Sequence, residues 1–267
     1  MKRLPGTGIN SVHKPRLAAV LIILVLWEAG VRVFDMPSFI LPAPSRVVVS
    51  LAESFSLIAA HTRVTLYESM MGFAIAVVFS FVIAFVMDSI PMIKEALYPV
   101  LVISQTIPII TIAPLFVIWF GYGLLPKVIV VFLVCFFPVA VSFLGGLESV
   151  DRDMYNLLKS MGAGRMQIFR LLKLPAALPS FFSGMKISAA YSIMGAVIGE
   201  WLGAKAGLGQ FMRLSMHSFA VDRTLAAIIV IIVLSLGVFE VIRLLEKLFM
   251  PWEKAAAYND FTGRKEG

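Results

Sequence analysis

A few polar side chains stand alone within long apolar stretches of this 267-residue chain. They are Glu68, Gln105, Thr106, Ser188, Ser192 and Glu200. Polar groups at membrane depth are costly, and they usually face the interior of a helix bundle or a water-filled path. Groups spaced so far apart suit contact with a passing solute better than bond-making chemistry.

Two of these residues belong to a stripe of small side chains. Ser188 and Ser192 share one helical face with Gly195 and Gly199, at intervals of three or four residues. Small residues on one face usually allow close packing of helices. They can also line a path between helices, and the sequence alone leaves both interpretations open.

The chain carries no familiar catalytic motif. The patterns GxxxxGK[ST], GxSxG and HExxH are all missing from the sequence. His13, His61 and His217 stand far apart and outside the apolar stretches, and the single cysteine, Cys135, is interpreted as a small buried filler. A membrane-embedded enzyme would gather reactive groups at one depth, so this class is disfavoured. No metal or cofactor is expected in this chain.

The composition favours a membrane protein. Hydrophobic residues make up 60% of the chain and charged residues 15%, against about 45–50% and about 25% in soluble domains. The net charge is +7, but the basic residues cluster between apolar runs. That placement suits orientation in a bilayer and gives no indication of a nucleic-acid partner.

Six segments are long and apolar enough to span a bilayer, which takes roughly 20 residues. They cover about 17–34, 64–87, 96–119, 126–147, 182–203 and 224–245. The first is interpreted as an uncleaved span in which Glu28 and Arg32, one turn apart, form a pair. Pro99, Pro108 and Pro114 predict a kink in the third. The expected fold is an all-α, polytopic bundle of six transmembrane helices over 17–247, with tails at 1–16 and 248–267.

Lysines and arginines predict the orientation of these spans. They are more numerous in 1–16, 88–95, 148–181 and 246–267 than in the segments between the other span ends. Because basic loops stay inside, both termini are expected in the cytoplasm. The prolines and the amphipathic stretch of 37–62 then lie outside.

The longest inner segment, 148–181, predicts two short helices on the membrane surface. The first has an apolar face with helical spacing, formed by Met154, Leu157, Leu158 and Met161. Gly162 and Gly164 break it, and a second amphipathic turn follows. Pro175 and Pro179 are expected to end that second helix. The apolar face either lies on lipid or enters a groove on a partner.

At this point the sequence resembles a known family. The 148–181 segment is similar to the cytoplasmic loop of binding-protein-dependent ABC importer permeases, whose pattern is EAA, three residues, Gly, nine residues, then I-x-L-P. Here nine residues separate Gly162 from Leu172, and Leu174 and Pro175 complete the pattern. The EAA triplet falls on Asn156, Leu157 and Leu158 and is absent. The stretches LPAPSRV (41–47), TIPIITIAPLFVIWFGYG (106–123) and GEWLGAKAGLG (199–209) resemble the branch that handles nitrate, sulfonates, taurine and pyrimidine-type vitamin precursors.

The resemblance implies a type I ABC importer permease fold and a set of partners. Two permease copies would form a homodimer with two ABC ATPase subunits, which bind ATP and Mg, and an extracytoplasmic binding protein would deliver the solute. It also implies that the segment around Gly162 docks the ATPase. The residues expected there are Met154, Asn156, Leu157, Leu158, Met161, Gly162, Ala163, Arg165, Leu172, Leu174 and Pro175.

The expected function is the permease subunit of an importer in the bacterial cytoplasmic (inner) membrane. Glu200, beside Trp201, either shapes the outer gate or is a solvated acid next to an interfacial tryptophan. The GEWLG stretch favours a pyrimidine-type precursor over sulfonates or nitrate. The alternative is an ion-coupled secondary transporter, which would want inverted repeats and acids at mid-membrane. No clear repeat is found, and the acids lie towards span ends.

Overall fold

The computed structural model describes residues 13–251, and side chains from residue 18 onwards. Every regular element among them is helical, as expected. The helices are α1 His13–Val33, α2 Pro44–Glu53, α3 Phe55–Ser89, α4 Pro91–Ser104, α5 Ile109–Phe120, α6 Leu124–Glu148, α7 Arg152–Ser160, α8 Arg165–Ile168, α9 Leu174–Trp201, α10 Leu208–His217 and α11 Val221–Phe249, with a π-turn, Phe169–Lys173, between α8 and α9. The predicted tails fall largely outside the described residues.

Four helical runs are long and apolar enough to cross a membrane. They are α3, α6, α11 and the run from Arg165 to Trp201. A fifth is counted if α4 and α5, which meet at 101°, form one broken span. The first predicted span coincides with α1, which carries the charged residues Lys14, Arg16, Glu28 and Arg32 and is not among the four. The described residues therefore support four or five spans, and the predicted six are not confirmed.

The third predicted span, 96–119, is more strongly bent than a proline kink. It divides into α4 and α5, and Gln105 and Thr106 lie at the break. Of the three prolines, only Pro108 stands at a helix boundary, where it precedes the first residue of α5. Pro99 and Pro114 stay inside their helices. A proline N-terminal to a helix needs no backbone donor, so Pro108 starts α5 without loss of a hydrogen bond.

The chain divides into two compact units, and the first comprises residues up to 59 together with 211–229. In this unit Glu28 pairs with Arg32 at 2.6 Å, which confirms the predicted pair. Glu28 also accepts hydrogen bonds from the backbone N and the Oγ of Ser45, at 3.0 and 2.8 Å. These bonds tie α1 to the first turn of α2. Arg46 in turn pairs with Asp222 at 3.2 Å.

The second unit comprises residues 60–210 and 230 onwards, and α6 packing along α9 forms its centre. The close approach depends on small residues. A Cβ on Gly195 would lie 3.2 Å from the Cα of Val131, and one on Gly184 would lie 2.8 Å from the carbonyl oxygen of Pro138. Aromatic rings fill the layer beside this contact, with the Phe143 ring centroid 4.9 Å from those of Phe81 and Phe181.

The first half of the 148–181 segment folds as the sequence predicts. Asp151 caps α7, because its Oδ1 accepts from the backbone N of Asp153 at 2.7 Å. The helix ends in a Schellman motif at Gly162, whose φ is 84°. The N–H of Ala163 donates to the carbonyl of Leu158 at 3.0 Å, closing the turn. The predicted glycine bend is thus confirmed.

The second half of that segment does not form the separate short helix that the prolines predicted. Instead α8 continues through the π-turn into α9, with Pro175 in the first turn of α9 and Pro179 inside it. Proline cannot donate to the carbonyl four residues earlier, which for Pro175 is Leu171, within the π-turn. A wider turn lets the helix pass such a point without stopping. That is why the fifth predicted span starts earlier than residue 182.

Candidate functional site

One face of α3 carries three polar residues in the second unit. His61, Thr65 and Glu68 follow one another at intervals of four and three residues, so they point in one direction. Thr65 and Glu68 are buried. Each of the three meets a partner from a distant part of the chain, and together they begin a polar cluster at this end of α3.

Glu200, near the end of α9, is the centre of that cluster. Its side chain is 0% exposed. The hydroxyl of Thr65 donates to Glu200 Oε1 at 2.6 Å, and the backbone N of Gly209 donates to Oε2 at 2.6 Å. Both carboxyl oxygens therefore have a donor, as a buried carboxyl requires. Of the two alternatives for Glu200, the solvated acid is wrong.

Two neighbouring backbone amides complete the arrangement. The N–H of Leu208 donates to Thr65 Oγ1 at 2.8 Å, and the N–H of Gly207 donates to His61 Nδ1 at 2.9 Å. Three consecutive amides are thus held by α3 and α9. We call His61, Thr65, Glu68, Lys127, Glu200 and these amides the Glu200 cluster. It fixes the path of the loop between α9 and α10.

The loop needs glycine where it approaches the carboxyl group. Gly207 has a φ of 118°, which L side chains rarely adopt. A Cβ at this position would overlap the carboxyl group of Glu200. The spacing of Glu200 and Gly207 in the GEWLGAKAGLG stretch is therefore a packing requirement of this loop.

Glu68 forms the second part of the cluster with a lysine from α6. Lys127 Nζ donates to Glu68 Oε1 at 2.5 Å, and both side chains are buried. Lys127 also packs beside Gly199, where a Cβ would lie 3.1 Å from the Cα of Lys127. A charge removed from water needs a partner of this kind. Gly199 thus allows the lysine to approach α9.

A cavity of about 380 Å³ opens beside Lys127. Its walls include Gly199 near the end of α9, Leu202 and Lys205 from the following loop, and Tyr122. The Tyr122 ring lies against Gly203, where a Cβ would be 2.6 Å from a ring carbon. The volume lies in the range of small-molecule sites, which is about 300–1,000 Å³.

The other predicted pathway residues lie elsewhere. Ser188 and Ser192 are fully buried between α6 and α9, where Ser188 Oγ donates to the carbonyl of Cys135 at 2.8 Å. Their placement accounts for helix packing, and a role in the pathway stays a prediction. Gln105 and Thr106 are exposed at the break between α4 and α5, and Thr106 Oγ1 donates to the carbonyl of Ile103 at 2.8 Å.

The predicted docking residues fall into an exposed group and a half-buried group. Met154 and Leu157 on α7 and Met161 directly after it are 50%, 56% and 74% exposed. Among the others, the exposed ones are Asn156, Gly162 and Arg165, and the half-buried ones are Leu158, Ala163, Leu172, Leu174 and Pro175. The structure thus presents an apolar helix face away from the core. No contact in the described part of the chain covers it.

A second polar cluster lies at the other end of α3. Lys173 Nζ donates to both carboxylate oxygens of Asp88, at 2.6 and 2.9 Å. The same ammonium group stands 5.8 Å from the ring centroid of Tyr155 on α7. The rings of Phe85 and Phe169 meet edge to face at 4.7 Å. We call these five residues the Lys173 cluster.

Several of these residues were not predicted from the sequence. Some of them had a sequence signal that could have indicated them, and others had none. His61 and Thr65 share helical spacing with Glu68, which could have marked one polar face of α3. Lys127 is a lone cation at the start of an apolar helix, and such a position could have indicated a buried acidic partner. Nothing local pairs Asp88 with Lys173. Among residues 13–251, no group of three or more His, Cys, Asp or Glu side chains could hold a metal ion.

Comparison with known proteins agrees with the architecture. The profile of the family described as "Binding-protein-dependent transport system inner membrane component" matches residues 76–250. The chain is 38% identical over 235 residues to the formylaminopyrimidine transport permease protein ThiX of Halalkalibacterium halodurans, covering 88% of this chain and 94% of that protein. It is 33% identical over 236 residues to the riboflavin transport system permease protein RibX of Chloroflexus aurantiacus, covering 88% of each.

A solved structure shares the fold. An amino acid ABC transporter crystallised with histidines has a chain that superposes with a TM-score of 0.59 at 18% identity, covering 75% of this chain and 96% of that one. The resemblance inferred from the loop around Gly162 is therefore confirmed at the level of the family. This chain belongs to the binding-protein-dependent transport system inner membrane components, the membrane permease subunits of ABC importers for small solutes.

Proposed function

We propose that two copies of this permease form a translocation path with two ABC ATPases, and that α7 is the helix each ATPase holds. The observation that carries the proposal is the exposed apolar face of Met154, Leu157 and Met161. An amphipathic helix with such a face is suited to a groove on a partner. ATP and Mg are bound by the partner ATPase, and this chain supplies the path and the contact.

The position of the bend supports docking over lying on lipid. The Schellman motif at Gly162 fixes the angle between α7 and the segment that follows it. The number of basic residues in 148–181 favours a cytoplasmic position for this segment, on the side where an ATPase would bind. The Glu200 cluster then faces the outside.

The Glu200 cluster is the proposed closed outer gate. It holds the loop of Gly207, Leu208 and Gly209 against α3 and α9 through backbone hydrogen bonds. When ATP binding draws the ATPases together, the α7 helices move with them and the path opens to the outside. The binding protein then releases its solute into the path, and hydrolysis resets the cycle. Both termini are cytoplasmic in this arrangement.

The proposed solute is a pyrimidine-type vitamin precursor. ThiX is named for formylaminopyrimidine and RibX for riboflavin, and both compounds contain a pyrimidine ring. The cavity beside Lys127 has a volume suited to a small heterocycle, and Tyr122 offers an aromatic face for stacking. Taurine and nitrate lack a ring that such a face could bind.

Native mass spectrometry of gently purified complexes tests the assembly. Two copies of this chain with two copies of a P-loop ATPase are expected. A lone chain, or a homo-oligomer without an ATPase, would contradict the proposal and favour the ion-coupled secondary transporter.

Uptake tests the solute independently. Cells that express the whole transporter should take up labelled formylaminopyrimidine, and excess unlabelled compound should compete while excess taurine should not. Competition by taurine alone would show the proposed solute class to be wrong without affecting the proposed assembly.

A further inference from the structure

The Lys173 cluster joins three elements at one point. Lys173 in the π-turn binds Asp88 of α3 through both carboxylate oxygens. It also stands over Tyr155 of α7, the helix with the exposed apolar face. Through this one side chain, α7 and the π-turn are connected to the end of α3.

Lys173 differs from the other basic residues of its segment. Arg152, Lys159, Arg165 and Arg170 are exposed, whereas Lys173 is half-buried and its carboxylate partner Asp88 has only 9% of its side chain accessible. An exposed ion pair contributes little to the stability of a protein, whereas an ion pair that is largely shielded from water is costly to break. In the G-x9-[IL]-x-L-P pattern Lys173 is the unspecified position, so the pattern assigns it no role.

A second contact keeps the two elements aligned. Phe169 and Lys173 lie four residues apart in the π-turn and face α3 together. Their partners Phe85 and Asp88 lie three residues apart on α3, so the two pairs form neighbouring contacts. A displacement of the π-turn therefore acts on α3 through an aromatic and an ionic contact at once.

The direct connection from α8 into α9 is less rigid than the helix α3. The π-turn and Pro175 interrupt the regular hydrogen bonding between α8 and α9. By contrast, α3 is one continuous helix from Phe55 to Ser89. Thr65 and Asp88 are separated by 23 steps along this helix, a distance of about 35 Å at 1.5 Å per residue. Helix α3 therefore connects the Lys173 cluster directly to the Glu200 cluster.

We propose that the Asp88–Lys173 pair is the coupling strut of this permease: it passes movement of α7 to α3, and through α3 to the loop held by Glu200. Both are positioning residues, since they act through α3 and do not touch the solute. The inference rests on the proposed docking of the ATPase at α7. It adds the route by which the docked helix reaches the proposed gate.

A double-mutant cycle in proteoliposomes tests the strut. The variants are Asp88→Asn, Lys173→Met and the two combined, in the complete transporter with its ATPase and binding protein. The readouts are the amount of ATPase that co-purifies and the solute transported per ATP hydrolysed. Each single variant should retain the ATPase and lower transport per ATP by about tenfold, which lies within the range of single-residue effects on coupling. The combined variant should lose about tenfold as well, because the pair acts as one unit.

An exposed ion pair of the same unit provides the matched control. Lys94 and Glu148 pair at 2.5 Å with side chains 38% and 39% exposed. Lys94→Met, Glu148→Gln and their combination should leave transport per ATP within about twofold of the unchanged protein.

Three results would overturn the strut. The first is unchanged transport per ATP in both single variants. The second is about a hundredfold loss in the combined variant, which would mean that the two residues act independently. The third is loss of the ATPase from Asp88→Asn or Lys173→Met, which would make the pair part of the docking contact. If the unchanged permease fails to retain an ATPase, the proposed docking fails instead, so the two failures are distinguishable.

Discussion

The two ends of α3 are held in different ways. At the Thr65 end, three consecutive backbone amides of the 207–209 loop are bound by side chains of α3 and α9. At the Asp88 end, only side chains make the contact, and one of them is a lysine with a flexible four-carbon stem. Hydrogen bonds from amides act on the backbone of the loop itself, whereas the contacts at the Asp88 end act on the π-turn and α3 through side chains.

The difference separates a loop whose backbone is bound directly from a segment that is connected only through side chains. Changes in the Glu200 cluster should therefore act mainly on the stability of the permease. Changes around α7 should act mainly on its association with the ATPase. Four substitutions, taken from the largest expected loss of stability to the smallest, test this separation.

Replacing Gly207 should have the largest effect on stability. In Gly207→Ala the new Cβ overlaps the Glu200 carboxyl group, and the φ of 118° becomes strained. The free energy of unfolding should fall by about 4 kcal/mol, which is typical of overpacking combined with backbone strain. Gly145→Ala is the control, because a Cβ there meets nothing within 4 Å. Thermal unfolding of both variants in detergent makes the measurement, and equal midpoints would refute the explanation of the loop.

Glu200→Gln should cost less, because the shape of the side chain is kept. A glutamine has one oxygen to accept a hydrogen bond, while Thr65 and Gly209 both present donors. One donor is left without its bond, at a cost of about 2 kcal/mol. Hydrogen exchange should quicken at the amides of 207–209. The exposed Glu95→Gln is the control, and unchanged exchange in Glu200→Gln would mean that the carboxyl group does not hold the loop.

Gly162→Val should lower stability by about 1 kcal/mol while removing the ATPase. The φ of 84° is unfavourable for a β-branched residue, yet a Cβ there meets nothing within 4 Å. The strain therefore distorts the angle of α7 and leaves the helices of the bundle inserted. Co-purification of the ATPase is the measurement. Gly164→Val is the control, since its φ is −71°; full ATPase association and full transport in Gly162→Val would show that the bend is not needed.

Leu157→Ser should change stability least. The side chain is 56% exposed, so the expected difference is within about 0.5 kcal/mol. If α7 enters a groove, association with the ATPase should weaken about tenfold, as for a leucine buried in an interface. Titration of the ATPase against the permease in nanodiscs measures this. A matched substitution of an exposed leucine of α11, Leu236→Ser, should leave that affinity unchanged.

The local features of the docking segment could be predicted from the sequence. Helix α7, its cap at Asp151 and the bend at Gly162 each depend on neighbouring residues only. The continuation through Pro175 could not be predicted by the same means. Proline predicts the end of a helix, and no sequence signal indicates a π-turn ahead of it. Whether a helix ends at a proline or continues through a wider turn depends on long-range packing. The local sequence pattern does not report that packing.

The Glu200 cluster shows the opposite limit. The sequence marked Glu200 and Glu68 as unusual because they are acids near apolar stretches, and both are buried in the cluster. Their partners were not predictable, since Thr65 lies 135 residues from Glu200 and Lys127 lies 59 residues from Glu68. Helical periodicity reports which residues share a face of one helix. It carries no information on which distant helix that face meets.

The Glu68–Lys127 pair has a consequence for biogenesis. When α3 leaves the ribosome, its strongly basic residue is Arg63, and the lysine that pairs with Glu68 in the folded chain, Lys127, is translated 59 residues after Glu68. A single charge in the hydrocarbon core costs about 2.5–3.5 kcal/mol on translocon insertion scales. Helix α3 is therefore more stable in the bilayer once α6 has arrived beside it. The two helices should leave the insertion machinery together, and a chain truncated before residue 124 should be recovered from the membrane in smaller amounts than one that ends after residue 148.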